Sequence, residues 1–525
     1  MRRPKALDRT LFDVAPLALA LALASVWLFV FVFRIAQTPP KLSNEAELMY
    51  EASRIERGLP LYTDPLQGVL DDGPLPIRHY VLYGPVAPWL LSFVAQPFRL
   101  IVARSISVIV WFIGIPAIAL GGMRDRRVAA LVVALSYASL FLLARDVVHF
   151  TLTPIPVFLA AVALVRFIRL GKLDIVSSFL FTAAWMIKPL VIGVALAVAL
   201  WTVFDRRRRR SEQMISIFGG ALSVCVGIGL LVATSHGQWL AHLRASTATG
   251  ILPMHWVHFV HDYFPILGFP HLVVAIFLLA SAEGARDVRS LPDEGTCSVS
   301  SPRRAKMAGW VLLVSTLWSV FAMGKRGSNA GYFMEPCAAL IAALAYGLPA
   351  PEVSPRDWRT TKWARVARLV LPLCPVMSVA IGWPEIRSFW REDASEEWRL
   401  LRDVNNACGA AAPGAAVRAS LPSLELPLSG RVTLAAWQQT VLVNRGVFPL
   451  QLLITDLDIP ELGCLVLTRG LSGPAPLETD GVGEFVFFDV LFDVKLRQPI
   501  LDRFDEFATV GGLHLFRRKR GGNVR

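Results

Sequence analysis

Through residue 383, apolar runs of membrane-spanning length alternate with basic loops, and this alternation restricts the fold more than any motif. The runs fall at about 14–34, 101–121, 128–145, 151–170, 174–188, 189–204, 214–234, 263–281, 308–324, 332–349 and 364–383. A helix crossing ~30 Å of hydrocarbon needs about this length, so the expectation is roughly eleven spans. A chain that is 54% hydrophobic and only 18% charged could not keep so much apolar surface out of water as a soluble enzyme. Around Lys188-Pro189 the runs read either as two helices or as one kinked helix.

The net charge of +13 sits mainly in Met1–Arg9, Arg124–Arg127, Arg166–Lys172, Arg206–Arg210, Arg286–Lys306 and Arg356–Arg368. These are alternate loops, as the positive-inside rule requires, so the amino terminus is expected in the cytoplasm. An odd number of spans then puts the carboxyl terminus outside. Five arginines at 206–210 beside a span anchor topology, and no nucleic-acid partner is expected. The first run has a basic flank and no small-x-small cleavage site before Arg34, which makes it an uncleaved signal anchor.

The expected architecture is mainly α: a polytopic helical bundle over 1–383, followed by a small exported α/β domain over 384–525. In the first loop, Asn44–Arg57 has helical spacing, with Leu48, Ala52 and Ile55 on one stripe. Ser43 or Asn44 would cap it, Gly58 would stop it, and it would lie along the outer membrane surface. Tyr80–Phe98 reads as interfacial or re-entrant. In the tail, Glu396–Val404 and Leu434–Val441 are helical, while Ala415–Ala419, Cys464–Thr468, Glu484–Phe488 and Leu513–Arg517 are short apolar or strand-like runs. Cys408 and Cys464 share this exported tail, where a disulfide is chemically permitted.

Ionisable residues near the expected outer face carry the functional reading. They include Glu45, Glu47, Asp64, Asp71, Arg78, His79, Arg145, Asp146, Lys188, Lys325, Arg326 and Glu335. Cations here run against the positive-inside bias and call for anionic partners, either carboxylates or a lipid phosphate. Each residue also has a structural reading. Glu45 suits a general base or a helix N-terminal acid, and Glu47 a site acid or a solvated one. Asp64 binds metal or acceptor, or shapes the Asp64-Pro65 turn. Lys188 touches phosphate or snorkels. Glu335 belongs to a site or pairs with Lys325 and Arg326. His255, His258 and His261, three residues apart, spread too widely around one helix for joint ligation and read as interfacial.

Taken in order, these residues resemble the GT-C membrane glycosyltransferases that use polyprenyl-phosphate sugars, among them protein O-mannosyltransferases and lipid A aminoarabinose transferases. The similarity begins at Asn44-Glu45 with Tyr50, Ala52, Gly58, Tyr62 and Asp64. It continues through Tyr83-Gly84-Pro85-Val86-Ala87-Pro88, Arg104-Ser105, Arg145-Asp146 and Lys188, and ends at Lys325-Arg326-Gly327-Ser328 with Tyr332 and Glu335. The resemblance implies catalytic acids at Glu45, Glu47 and Asp64, and donor phosphate held by Arg145, Lys188, Lys325 and Arg326. Asn44, Tyr50, Asp146, Tyr332 and Glu335 would support them. The implied partners are a polyprenyl-phosphate-sugar donor, a glycan, lipid or protein acceptor, and membrane lipids. A divalent cation is compatible but not demanded. Relatives carry Asp-Glu where this chain has Asn44-Glu45, so the base role passes to Glu45 or Glu47. If neither serves, the chain is an inactive scaffold of the same fold; a lipid-linked sugar flippase is the other rival, although no internal repeat supports it.

Overall fold

The computed structural model describes residues 21–32, 38–71, 73–81, 84–122, 153–205, 210–248, 253–284, 301–325, 330–347, 393–471 and 491–519, with single positions between some of these stretches. The protein is mainly helical, with one small sheet. Three described helices are long and apolar enough to cross a membrane: Gln96–Gly122, Gln213–Thr234 and Pro302–Ala322. Five shorter apolar helices accompany them, at Leu21–Val30, Ile175–Ile187, Gly193–Phe204, Phe269–Ala280 and Gly331–Tyr346. The runs expected at 128–145 and 364–383 lie almost entirely outside the described residues.

In chain order, α1 (Leu21–Val30) lies in the first apolar run, and α2 (Ser43–Glu56) and α3 (Val86–Ser92) follow it. The bundle continues with α4 (Gln96–Gly122), α5 (Pro154–Leu170), α6 (Ile175–Ile187), α7 (Gly193–Phe204) and α8 (Arg210–Thr234). Then come α9 (Gln238–Ala248), α10 (Pro253–Tyr263), α11 (Phe269–Gly284), α12 (Ser301–Ala322) and α13 (Met334–Gly347). Small residues let α13 pack closely: Ala338, Ala339, Ala342 and Ala343 are buried in the same cluster as Ala160, Ala161 and Ala163 of α5 and Val194 and Ala197 of α7.

The apolar run around Lys188-Pro189 forms two helices. Pro189 cannot donate a backbone bond, so α6 ends at Ile187 and α7 begins at Gly193. The freed amides of Gly193 and Val194 are taken by Glu335 of α13, at 3.1 and 2.8 Å.

After the bundle, α14 (Ala394–Ala411) precedes β1 (Ala416–Ala419), α15 (Pro422–Ser429), α16 (Ala436–Asn444), α17 (Leu450–Asp456) and β2 (Leu462–Leu467). Then come α18 (Arg497–Arg503), β3 (Phe504–Val510) and β4 (Leu513–Arg518). The sheet order is β1-β2-β4-β3, with β1 parallel to β2 and the other pairs antiparallel. A disulfide joins Cys408 of α14 to Cys464 of β2. Three of the strand-like runs correspond to β1, β2 and β4; β3 was not anticipated, and Glu484–Phe488 lies outside the described residues.

Two first-loop expectations need correction. Helix α2 does not lie on a surface: every residue from Glu45 to Ala52 is buried, and Arg54 too. Leu48, Met49 and Ala52 pack with Ala87, Leu91 and Ile187, while Ala46 and Tyr50 pack with Ile77 and Val432. A tail folded back over the loop covers the face that would otherwise meet lipid or water. The cap differs as well, because the residue before the helix is Leu42 and neither Ser43 nor Asn44 serves. The Glu45 carboxylate accepts the amide of Lys41 at 2.8 Å instead.

Candidate functional site

Helix α2 is clamped by two arginines of α4. At its start, Arg104 donates from Nε to Glu45 Oε1 (2.8 Å) and from Nη2 to Glu45 Oε2 (2.9 Å), with both side chains fully buried. The remaining guanidinium donors reach the Thr38 carbonyl and hydroxyl and the Pro39 carbonyl. At its end, Arg99 donates to Ser53 Oγ (2.6 Å) and Glu56 Oε2 (2.7 Å). Planar forks suit such bidentate pairing, and a lysine would lose it. The Glu45 carboxylate is therefore committed to holding the helix in place.

The next turn of α2 carries different chemistry. Glu47, Glu51 and Arg54 follow one another at four and three residues, so they share a face. Glu47 Oε2 accepts Gln438 Nε2 of α16 at 3.3 Å. Both oxygens of Glu51 are buried with no hydrogen-bond partner among the described residues. Burial, and then the charge of Glu47, push the Glu51 carboxyl well above the usual carboxylate range, with Arg54 opposing. Arg54 is itself paired with Asp71, Nε to Oδ2 at 2.5 Å, both buried. Tyr62 is raised by burial and by Glu51, which puts its ring in the same field.

Two histidines complete the surroundings. His242 of α9 accepts the Val81 amide on Nδ1 (2.7 Å), so Nε2 carries the proton donated to the Thr63 carbonyl (2.7 Å). Burial holds it neutral, down to about 4, and holds His79 down to about 3. Neither supplies positive charge to the acids at neutral pH.

Of the expected cations, the described ones, Lys188 and Lys325, bond to residues outside α2. Ile187 belongs to the same apolar cluster as Leu48 and Met49, and Lys188 follows it in the chain. Lys188 Nζ donates to Thr153 Oγ1 and lies 6.0 Å from the Tyr332 ring. Thr153, Lys188, Tyr332 and Glu335 line one narrow crevice. Lys325 donates to Ser246 Oγ at 3.3 Å, one turn of α9 beyond His242, and burial lowers its ammonium to about 8. Asp64 accepts the Leu66 amide at 2.9 Å and so shapes its own turn. Asn44 is half-buried, and its Oδ1 has no partner among the described residues. Tyr50 donates to Asp71 Oδ2 at 3.4 Å. Arg145, Asp146 and Arg326 lie outside the described residues.

The tail reaches into this site at several points. Arg78 forks onto Asp456 at 3.1 and 3.0 Å, and its amide donates to the Thr433 carbonyl at 2.7 Å. Gln438 accepts the Tyr80 amide at 3.0 Å while donating to Glu47. Sequence reasoning passed over Glu51, Arg54, His242 and Gln438. Only the four-residue spacing of Glu47 and Glu51 could have signalled one of them. No cluster of three or more acid, histidine or cysteine side chains with metal-binding geometry occurs among the described residues.

The chain matches no protein-family profile, and no curated protein is significantly similar to it.

Proposed function

We propose that this chain is a GT-C-type glycosyltransferase of a bacterial cytoplasmic membrane, with about eleven spans, a cytoplasmic amino terminus and an exported carboxyl-terminal domain. It transfers a sugar from a polyprenyl-phosphate carrier to an acceptor hydroxyl at the outer face. The observation that carries the reading is the buried, acid-bearing helix directly after the first apolar run. A solvated loop would need no such burial of charge.

Glu47 takes the base role, because Arg104 already claims both oxygens of Glu45. The acceptor O–H gives its proton to Glu47, and the oxygen attacks the anomeric carbon from the face opposite the phosphate. The bond from that carbon to the phosphate oxygen breaks with its electron pair on the leaving phosphate, so configuration inverts. Lys188 and Lys325 stabilise that departing charge, with Arg145 and Arg326 as further candidates, and the protein supplies position, a base and cations.

The test is sugar transfer in membranes supplied with a panel of polyprenyl-phosphate sugars. Glu47→Gln is expected to lower kcat by about 10²–10⁴-fold. Undiminished transfer by Glu47→Gln removes this base, and no transfer from any donor returns the chain to a scaffold role.

A further inference from the structure

Glu51 is the one buried carboxyl on α2 that the reading above does not use. Its position is unusual on three counts. It lies one helical turn from Glu47, so the two side chains rise on the same face. Both of its oxygens are out of water and lack hydrogen-bond partners among the described residues. Among the described residues, no cation forms an ion pair with it. Arg54, the nearest cation on its own helix, is engaged by Asp71. Tyr62 from the first loop is neutral, and His79 and His242 are held neutral by burial. From the C-terminal unit come the uncharged Gln438, which reaches Glu47, and Arg431, which acts on Tyr50 and donates to the Leu70 carbonyl.

Two carboxylates one helical turn apart in a dry site repel each other when both are ionised, and one proton between them removes the repulsion. We propose that Glu47 and Glu51 act as one proton-sharing dyad, in which Glu51 keeps the proton and positions Glu47 as the ionised base. The asymmetry has a structural cause. Gln438 donates an N–H to Glu47, which favours the charged form there, whereas Glu51 receives no such bond. The Gln438 amide is itself fixed by accepting the Tyr80 amide, so the C-terminal unit decides which member of the dyad is charged. During transfer the acceptor proton goes to Glu47, and Glu51 keeps its own. The dyad is then doubly protonated until Glu47 releases a proton to water.

This inference rests on the functional reading only for its kinetic part; its protonation part can be read without any sugar donor. Infrared difference spectra of the purified full-length protein are recorded across neutral pH for the parent, Glu51→Gln and Glu51→Asp. The parent is expected to show a protonated-carboxyl C=O stretch at neutral pH that Glu51→Gln abolishes and Glu51→Asp shifts. A parent without that band, or a band that survives Glu51→Gln, overturns the dyad. In the transfer assay, ionising Glu51 as well would set the two acids against each other and close an alkaline limb of the pH–rate profile. Glu51→Gln is expected to lose that limb while keeping the acid limb. A merely structural Glu51 would lower the rate equally at all pH values. If the band behaves as expected but no donor supports transfer, the glycosyltransferase reading fails and the dyad stands.

Discussion

Arg104 and Glu45 face each other fork to fork, Nε to Oε1 at 2.8 Å and Nη2 to Oε2 at 2.9 Å, with no part of either side chain exposed. The pair links α4, a helix long and apolar enough to cross a membrane, to the start of α2, so the position of every acid on α2 depends on it. Removing one partner strands the other as a buried charge, which costs about 3–5 kcal/mol in comparable pairs. Arg104→Met is therefore expected to lower the thermal midpoint of the detergent-solubilised protein strongly, by fluorescence-detected size exclusion. Arg104→Lys should rescue it only in part, since a point charge cannot fork. A midpoint unchanged in Arg104→Met would show that something else holds α2.

The buried histidines make stability depend on pH with a definite sign. Burial depresses His242 from 6.5 to about 4 and His79 to about 3. A group whose folded-state value is depressed binds protons more readily when unfolded, so acidification favours the unfolded state. Their contribution is complete above about pH 6.5 and is lost as pH falls toward 4. Thermal midpoints measured over that window should drop less steeply for His242→Gln than for the parent. Parallel slopes would mean that His242 is not neutral in the fold.

The disulfide between Cys408 and Cys464 closes a loop across 56 residues and ties α14 to the sheet. By loop entropy such a link stabilises a domain by about 2–4 kcal/mol. Cys408→Ala with Cys464→Ala should lower the unfolding midpoint of the C-terminal unit, and a reductant should have no further effect on the double variant. Because Gln438 and Asp456 of that unit touch Glu47 and Arg78, loosening it should also reduce transfer. A double variant as stable as the parent removes the disulfide from the account of the fold.

Much of the frame was legible in the chain because its signals are local. Helix α2 was expected from apolar spacing and a following glycine, and it spans Ser43–Glu56 with Gly58 at a positive φ of 72°. At Lys188-Pro189 the proline signals a disruption but leaves two helices or one kinked helix open, and the structure has two helices. β1, β2 and β4 lie in short runs with apolar residues, whereas Phe504–Val510 carries Asp505 and Glu506 near its start and hides its strand; these acids are exposed. Its place at the sheet edge explains that composition, since it pairs only with β4.

What each acid does was not local. Glu45 and Glu47 sit two residues apart on one helix, and sequence gives them the same credentials. Their difference comes from partners 59 and 391 residues away, Arg104 for one and Gln438 for the other. Asp64 is likewise ambiguous until its bond to the Leu66 amide is seen, and Glu335 until it is found on the amides that open α7. The chain by itself determined that it is mainly helical, with helices long and apolar enough to cross a membrane, and ends in a small α/β tail, because apolar run length and turn residues act within a few positions. Only the tertiary structure decided which acid is an anchor and which is buried without a hydrogen-bond partner among the described residues, because those properties belong to contacts that the folded chain alone brings together.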